Sequence, residues 1–341
     1  MTEASAARPK RKLKTWSSLG DLRRIPSEYE VVTHNLNYTN RANRTSALES
    51  NPTTPVNMWY LTYRDRSPLQ AEDWTAFRDP DELTYRKYVT MQDEQETVIE
   101  GVLDEYGAAD HDASLSGAWR GALGALFTPT RFPVHALQMC TAYFAQMAPS
   151  SYISNCAVFG AGDLLRRVSI IAYRTRQLAD APHSAIGSDE RRVWEQEETW
   201  QPARQALEKL LLAYDWGECF AAMNLVLRPT LDEILIRQVA HLAHESNDDL
   251  TWLLLSNLAV DSDRCTRWST ALGRYAIAHR DGNQGALQRW VDKWTPRAEA
   301  AAAGLAQLFE QFPSRGRAAD TVVNAARSAR RRVLSEAGLT G

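Results

Sequence analysis

The chain has 341 residues, of which 44% are hydrophobic and 24% charged, with eleven Trp and a formal net charge of −3. This composition is typical of a globular protein with a sizeable apolar core and excludes a disordered or fibrous chain. No apolar run approaches the roughly 20 residues that a membrane span requires, so we expect a soluble, cytoplasmic protein.

Positive charge is concentrated at the N-terminus. Residues 1–60 carry nine Lys or Arg against five Asp or Glu, and five of these cations lie within residues 8–14. Such a segment either binds nucleic acid or an acidic protein surface, or is a solvated tail, and we favour the tail for residues 1–14. Because no nucleic-acid motif or interleaved aromatic residues accompany the cluster, we expect no nucleic-acid partner.

Residues 1–65 lack helical periodicity and mix Pro, Asn, Thr and Tyr with short apolar pieces, which predicts an extended N-terminal arm. A long segment without a core of its own becomes ordered only by docking, because its conformational entropy must be offset. We therefore expect the arm to lie on a partner subunit. The residues predicted to bind that partner are Trp16, Leu22, Arg23, Arg24, Tyr29, Trp59 and Tyr63.

Helical patterns dominate the rest of the chain. Asp79-Pro80-Asp81-Glu82 has the pattern of a helix start, and the predicted helix runs towards Gly107. Further apolar patterns of helical period cover residues 113–127, 133–147, 150–178, 189–214, 217–245, 248–279, 284–312 and 318–337. Their lengths are typical of a long-helix bundle. We expect an all-α fold with one helical domain over residues 66–312, followed by a C-terminal helix and tail over residues 313–341.

A carboxylate-bridged dimetal site in such a bundle needs Glu from two helices and Glu-x-x-His from two others. The chain contains no Glu-x-x-His, and no Asp or Glu lies between Arg131 and Gly162. These gaps argue against a two-metal site. His241 and His244 have ligand-like spacing beside Glu245, but we interpret them as interfacial or partly exposed histidines near a helix C-terminus.

Other catalytic patterns are also missing. The sequence has no nucleophile elbow, no dinucleotide fingerprint and no P-loop. Gly160-Ala161-Gly162 lies inside a helical pattern and predicts close helix packing rather than a phosphate loop. The widely spaced cysteines are interpreted as small buried side chains. They are Cys140, Cys156, Cys219 and Cys265.

Several stretches, in order along the chain, resemble the small (β) hydroxylase subunit of soluble multicomponent diiron monooxygenases, and most closely the toluene, isoprene and alkene monooxygenase type. The stretches are Leu13 to Trp16, Gly20 to Val32, Trp74 to Pro80, Thr84-Tyr85, Leu137 to Met139, Gln146 to Ser150 and Arg166-Arg167. The resemblance covers about residues 13–310.

The catalytic large subunit of that family carries a metal motif of the form Phe-Gly-x-x-Asp-Glu-Leu-Arg-His. The matching stretch here runs from Phe159 to Arg167, with Leu164 and Arg167 at the two ligand positions. The second metal motif falls near Asp261 to Thr266, where no His occurs, and we interpret its carboxylates as surface or interface charges. We therefore expect no catalytic, cofactor-binding or metal-binding residues in this chain.

The resemblance implies a ferritin-like (ribonucleotide reductase-like) bundle that acts as the non-catalytic β subunit of an NADH- and O₂-dependent oxygenase. In the implied (αβγ)₂ heterohexamer the α subunit holds the diiron centre, with a small γ subunit and an effector (coupling) protein as further partners. A Rieske ferredoxin and an NADH reductase would supply electrons through iron–sulfur clusters and FAD. The implied reaction is alkene epoxidation or aromatic hydroxylation.

Other assignments remain open at this point. The chain is alternatively a β subunit of the phenol, propane or methane type. Two hypotheses from other classes of protein also remain: an autonomous ferritin-like metalloprotein, and a helical regulatory module with no enzyme partner.

Overall fold

The computed structural model describes residues 24–34, 36, 54–181, 186–312 and 317–341, and within these ranges it contains helices and turns but no strand. The α-helices are α1 (Glu28–Thr33), α2 (Pro55–Tyr60), α3 (Tyr85–Ala108), α4 (His111–Ser114), α5 (Gly117–Ala122), α6 (Arg131–Met147), α7 (Ser151–Asp180), α8 (Glu190–Gln196), α9 (Gln201–Leu210), α10 (Trp216–Phe220), α11 (Arg228–Asp232), α12 (Val239–Glu245), α13 (Asp249–His279), α14 (Asn283–Glu310) and α15 (Ala319–Glu336). The all-α prediction is confirmed.

A helix that is continuous from Trp216 to Glu245 lies at the centre of the bundle. It joins α10, α11 and α12 through two π-helical segments, Ala221–Leu227 and Glu233–Gln238. Its first half is buried on nearly every side, because α6, α13, α14 and α15 surround it. Asp215 caps its start by accepting hydrogen bonds from the backbone N–H groups of Gly217 and Glu218, at 2.9 and 3.0 Å.

The hydrophobic core extends beyond the predicted helical domain. Tyr29 and Tyr60, from the predicted arm, and Val322 and Leu334, from the C-terminal helix, belong to the same cluster of buried side chains. The predicted boundaries after residues 65 and 312 stay a prediction. Within the described part of the chain, no helix combines the length and the apolar character needed to cross a membrane.

Helix α3 starts five residues later than the sequence predicted. The Asp79 carboxylate accepts hydrogen bonds from the backbone N–H groups of Asp81 and Leu83, at 3.1 and 3.2 Å, and Glu82 adopts a positive φ of 43°. This left-handed residue ends the turn. The helix then begins at Tyr85, with Thr84 as its N-cap. The prediction of a start at Asp79 was therefore wrong, because the acidic cap closes a turn rather than a helix.

Two short helices, α1 and α2, lie within the range for which the sequence predicted an extended arm. Helix α1 begins with a capping box in which Ser27 and Glu30 bond to each other's backbone N–H groups. Tyr29, 1% exposed, packs against Tyr152 with ring centroids 5.6 Å apart. This part of the arm is therefore ordered against the chain's own core. Residues 1–23 and 37–53 lie outside the described residues.

Glu30 links α1 to the bundle electrostatically. Its carboxylate accepts two hydrogen bonds from Arg24, at 2.7 and 2.8 Å, and one of 2.8 Å from Nη2 of Arg78. Arg78 in turn lies over the Tyr152 ring, 4.1 Å from its centroid. The hydrogen bonds from Arg24, assisted by those from Ser27 and Arg78, lower the pKa of Glu30 to about 2.

We predict that Glu30→Gln destabilises the protein by about 1–2 kcal/mol at pH 7, because charge-assisted hydrogen bonds to two arginines are lost. A carboxyl with a lowered folded-state pKa contributes stability above its unfolded pKa, near 4.5, and loses it as the pH falls towards 2. Thermal unfolding of wild type and variant should therefore show a gap at pH 5–7 that narrows at pH 3. Glu28→Gln, on the exposed face of the same helix, is the matched control, and a gap that is constant with pH would contradict the prediction.

Candidate functional site

Charged side chains converge where α3, α7, α11 and α13 meet, in the position predicted for the degenerate metal site. Residues three or four apart share a helix face, so each helix directs two or three polar side chains into this centre. The side chains that meet there are Tyr88 and Gln92 from α3, Asp163, Arg166 and Arg167 from α7, Arg228 and Asp232 from α11, and Asp261 and Arg264 from α13.

Helices α7 and α13 are joined by reciprocal ion pairs. Each carries an Asp-x-x-Arg pattern, Asp163 with Arg166 and Asp261 with Arg264. Nη1 of Arg166 donates to Asp261 over 2.9 Å, and Arg264 donates to Asp163. Arg166 also pairs with Glu96 on α3. Because Asp163, Arg166, Asp261 and Arg264 are each less than 10% exposed at the side chain, these pairs are shielded from solvent.

A second ion-paired group lies on the other side of the centre, on α11. Nη1 of Arg167 donates to Asp232 over 2.7 Å, and the Ser262 hydroxyl donates to the other oxygen of Asp232, also over 2.7 Å. Arg228 lies 3.7 Å from Asp232 and donates from Nη1 to Sγ of Cys265 over 2.8 Å. The Asp232 carboxylate is thereby placed between two buried guanidinium groups.

Helix α3 closes the centre from the remaining side. The Tyr88 hydroxyl donates to Asp163 over 3.1 Å, and the Gln92 amide donates to both Asp163 and Asp261 over 3.0 Å. The Tyr88 hydroxyl has room beside α7 because residue 162 is Gly: a Cβ there would lie 2.5 Å from the Tyr88 oxygen. The contact at this glycine is with a side chain of α3, and the predicted close helix packing here stays a prediction.

Burial and the neighbouring guanidinium groups shift the pKa values of the buried carboxylates. Burial, opposed by Arg264, raises the pKa of Asp163 to about 6. Burial alone would also raise the pKa of Asp232, but Arg167 and Arg228 hold that pKa below its usual value. Asp232 is therefore a carboxylate at neutral pH, as its two guanidinium neighbours require.

The residues at this centre do not fit a diiron site. Leu164 and Arg167 occupy the positions of the two ligands in the family motif, and both are buried there. The cavity that they line measures about 10 Å³, whereas paired metal ions about 3.5–4 Å apart need far more space. Among the described residues, no group of three or more His, Cys, Asp or Glu is placed to hold a metal.

The second metal motif differs from its sequence interpretation. Asp261 is 4% exposed, so the prediction that carboxylates there are surface or interface charges was wrong for this residue. Its burial is possible because Arg166 and Arg264 neutralise it. The sequence feature that could have indicated this burial is the Asp-x-x-Arg spacing, which occurs on two predicted helices. His241 and His244 lie away from this centre on an exposed helix face, and His244 pairs with Asp249.

The predicted partner-binding residues fall into two described groups. Arg24 is exposed beside α1, whereas Tyr29 packs inside the chain's own core. Trp59, 37% exposed, donates from its indole N–H to the Tyr143 hydroxyl over 2.9 Å and packs against the half-buried Tyr63. Trp16, Leu22 and Arg23 lie outside the described residues.

Comparison with known proteins identifies the family of this helical frame. The sequence profile of the methane/phenol/alkene hydroxylases matches residues 59–280. The chain is 40% identical, over 86% of its own length and 89% of the relative's, to the hydroxylase β subunit of the toluene-4-monooxygenase system of Ectopseudomonas mendocina. It is 28% identical to the hydroxylase small subunit of the propane 2-monooxygenase of Gordonia sp. strain TY-5, over 48% of this chain and 46% of the relative.

A solved structure of toluene 4-monooxygenase with toluene in its resting active site contains a chain with the same fold. It superposes with a TM-score of 0.82 at 38% identity, covering 89% of this chain and 99% of the other. The chain belongs to the methane/phenol/alkene hydroxylase family. Within that family it is a small (β) subunit of a monooxygenase hydroxylase component, as the resemblance implied, and a non-catalytic part of an oxidoreductase complex.

We predict that Asp232→Asn destabilises the protein by about 3–5 kcal/mol, because it leaves two buried guanidinium groups without a carboxylate. Removing one cation as well, in Arg167→Met/Asp232→Asn, should restore part of that loss. Chemical denaturation measures both effects. Asp189→Asn, which breaks an exposed pair with Arg192, should leave the midpoint unchanged. A double variant less stable than the single one would contradict this account.

Proposed function

We propose that this chain scaffolds the catalytic α subunit in the hydroxylase component of an NADH-dependent soluble diiron monooxygenase. The enzyme would use O₂ to hydroxylate aromatics or epoxidise alkenes. The observation that carries the proposal is the closed, ion-paired centre between α3, α7, α11 and α13, where Arg167 and Leu164 stand in place of metal ligands. A bundle cross-linked in this way is a rigid support, and the cavity of about 10 Å³ at its centre is too small for an aromatic or alkene substrate.

The proposed assembly is an (αβγ)₂ heterohexamer in the cytoplasm. Its α subunit holds the diiron centre, and an effector (coupling) protein binds the complex. A Rieske ferredoxin and an NADH reductase, with iron–sulfur clusters and FAD, deliver electrons to it. The support for multiple components is the similarity to a named subunit of the toluene-4-monooxygenase system.

The proposed contact surface with the α subunit includes the exposed side of α1 and α2. Ile25, beside Arg24, is 73% exposed, and Val31 and Val32 are 45% and 46% exposed. Clustered exposed apolar side chains of this kind mark protein interfaces. Trp59 and Tyr63, together with Trp16, Leu22 and Arg23, complete the proposed set. Tyr29 contributes indirectly, by anchoring α1 to the core.

Iron analysis and activity test the non-catalytic role. We expect the purified chain to contain no stoichiometric iron and to oxidise neither benzene nor propene without an α subunit. Leu164→Glu with Arg167→His should also create no activity, because Asp163 and Asp261 remain paired with Arg264 and Arg166. Stoichiometric iron or turnover by the chain alone, in either form, would refute the proposal.

Truncation tests the contact surface. Deleting residues 1–23 removes Trp16, Leu22 and Arg23 but retains the capping box of α1, so the bundle should unfold at its normal temperature while co-purification with the α subunit is lost. Trp59→Ala should weaken the same association, with Tyr173→Ala, an exposed aromatic residue on α7, as the matched control. A truncated chain that still assembles into a fully active hydroxylase would contradict this prediction.

A further inference from the structure

The ion-paired centre contains a small polar cavity of about 10 Å³. Its polar lining comes from three helices, α7, α11 and α13. The polar residues that line it are Asp163, Arg167, Arg228, Asp232, Asp261 and Ser262. Since a water molecule needs roughly 10–15 Å³ of such space and two to four polar partners, the cavity is close to the size of one water.

Two donors at this cavity have no acceptor in the protein. Arg167 and Arg228 are each 4% exposed. Their Nε–H groups are buried and make no hydrogen bond within the protein. Each arginine donates from Nη1 to a protein partner, Asp232 for Arg167 and Cys265 for Arg228. Nε of Arg228 lies 3.7 Å from Oδ2 of Asp232, which is an ion-pair contact beyond hydrogen-bond distance. A buried donor without an acceptor destabilises the folded state, so an acceptor within the cavity would stabilise these two N–H groups.

Charge balance selects the class of ligand. The guanidinium groups around the centre are those of Arg166, Arg167, Arg228 and Arg264, and the carboxylates paired with them are those of Asp163, Asp232, Asp261 and Glu96. These charges cancel when all groups are ionised. Because the network is already neutral, a metal ion or a halide would add a buried charge that no group in it balances. A neutral ligand that both accepts and donates hydrogen bonds avoids this cost.

We propose that the centre is a specific binding site for a single water molecule. The water accepts hydrogen bonds from Nε–H of Arg167 and Nε–H of Arg228 and donates to the surrounding carboxylates. It thereby completes the hydrogen bonding of a polar network that the protein alone leaves incomplete. This site does not depend on the proposed scaffolding role, because every group in it belongs to this chain.

A high-resolution crystal structure of the chain, alone or in its complex, tests the site. We expect one density peak about 2.7–3.2 Å from both Nε atoms, without anomalous signal after soaking in bromide or in Mn²⁺. An anomalous peak for bromide or manganese would overturn the proposal in favour of an ion. A wild-type structure without any peak, or with both Nε–H groups bonded to protein acceptors, would overturn it as well.

Two arginine variants test whether the density peak depends on the proposed donors. Arg228→Met removes one of the two Nε–H groups, so the peak should be lost. Arg237→Met, on the same central helix but paired at the surface with Asp263, should retain it. Persistence of the peak in Arg228→Met with unchanged position would contradict the assigned donors, and the wild-type structure decides the proposal even if that variant fails to fold.

Discussion

The reciprocal pairing of Asp163 with Arg264 and of Asp261 with Arg166 is the constraint on which the centre of the bundle depends. Charged groups at this depth are tolerated only when each has a partner, because desolvation of an unpaired charge costs several kcal/mol. The pairs connect residues about 100 positions apart in the chain and join α7 to α13. Buried pairs of this type add little net stability compared with apolar packing, but they penalise any other register of the two helices.

The central helix adapts to this constraint through its π-helical segments. Each π turn widens the helix by one residue and rotates the following side chains relative to a regular α-helix. Segments Ala221–Leu227 and Glu233–Gln238 lie on either side of α11. The direction in which the α11 side chains point therefore differs from the direction that a continuous α-helix would give them. This placement directs Arg228 and Asp232 together into the centre.

Apolar periodicity was enough to predict most of the long helices, because their buried faces repeat every three or four residues. The sequence also marked Leu164 and Arg167 as replacements for ligands. The burial of Asp261 was missed, because the repeated Asp-x-x-Arg spacing does not by itself show that Arg166 from another helix pairs with it. The start of α3 was misjudged for a local reason, the turn closed by Asp79. Helix α1 was missed although its Ser27-x-x-Glu30 capping box is visible in the sequence.

The ion-paired centre also separates the folding of this subunit from metal supply. A bundle whose core is completed by a metal gains stability in proportion to the binding free energy, and so depends on metal concentration. Here Arg167 and Arg228 neutralise Asp232 from within the chain, and Arg264 does the same for Asp163. The charges that a metal would otherwise have to balance are already balanced. The packing of α3, α7, α11 and α13 therefore needs no metal ion to balance its buried charges.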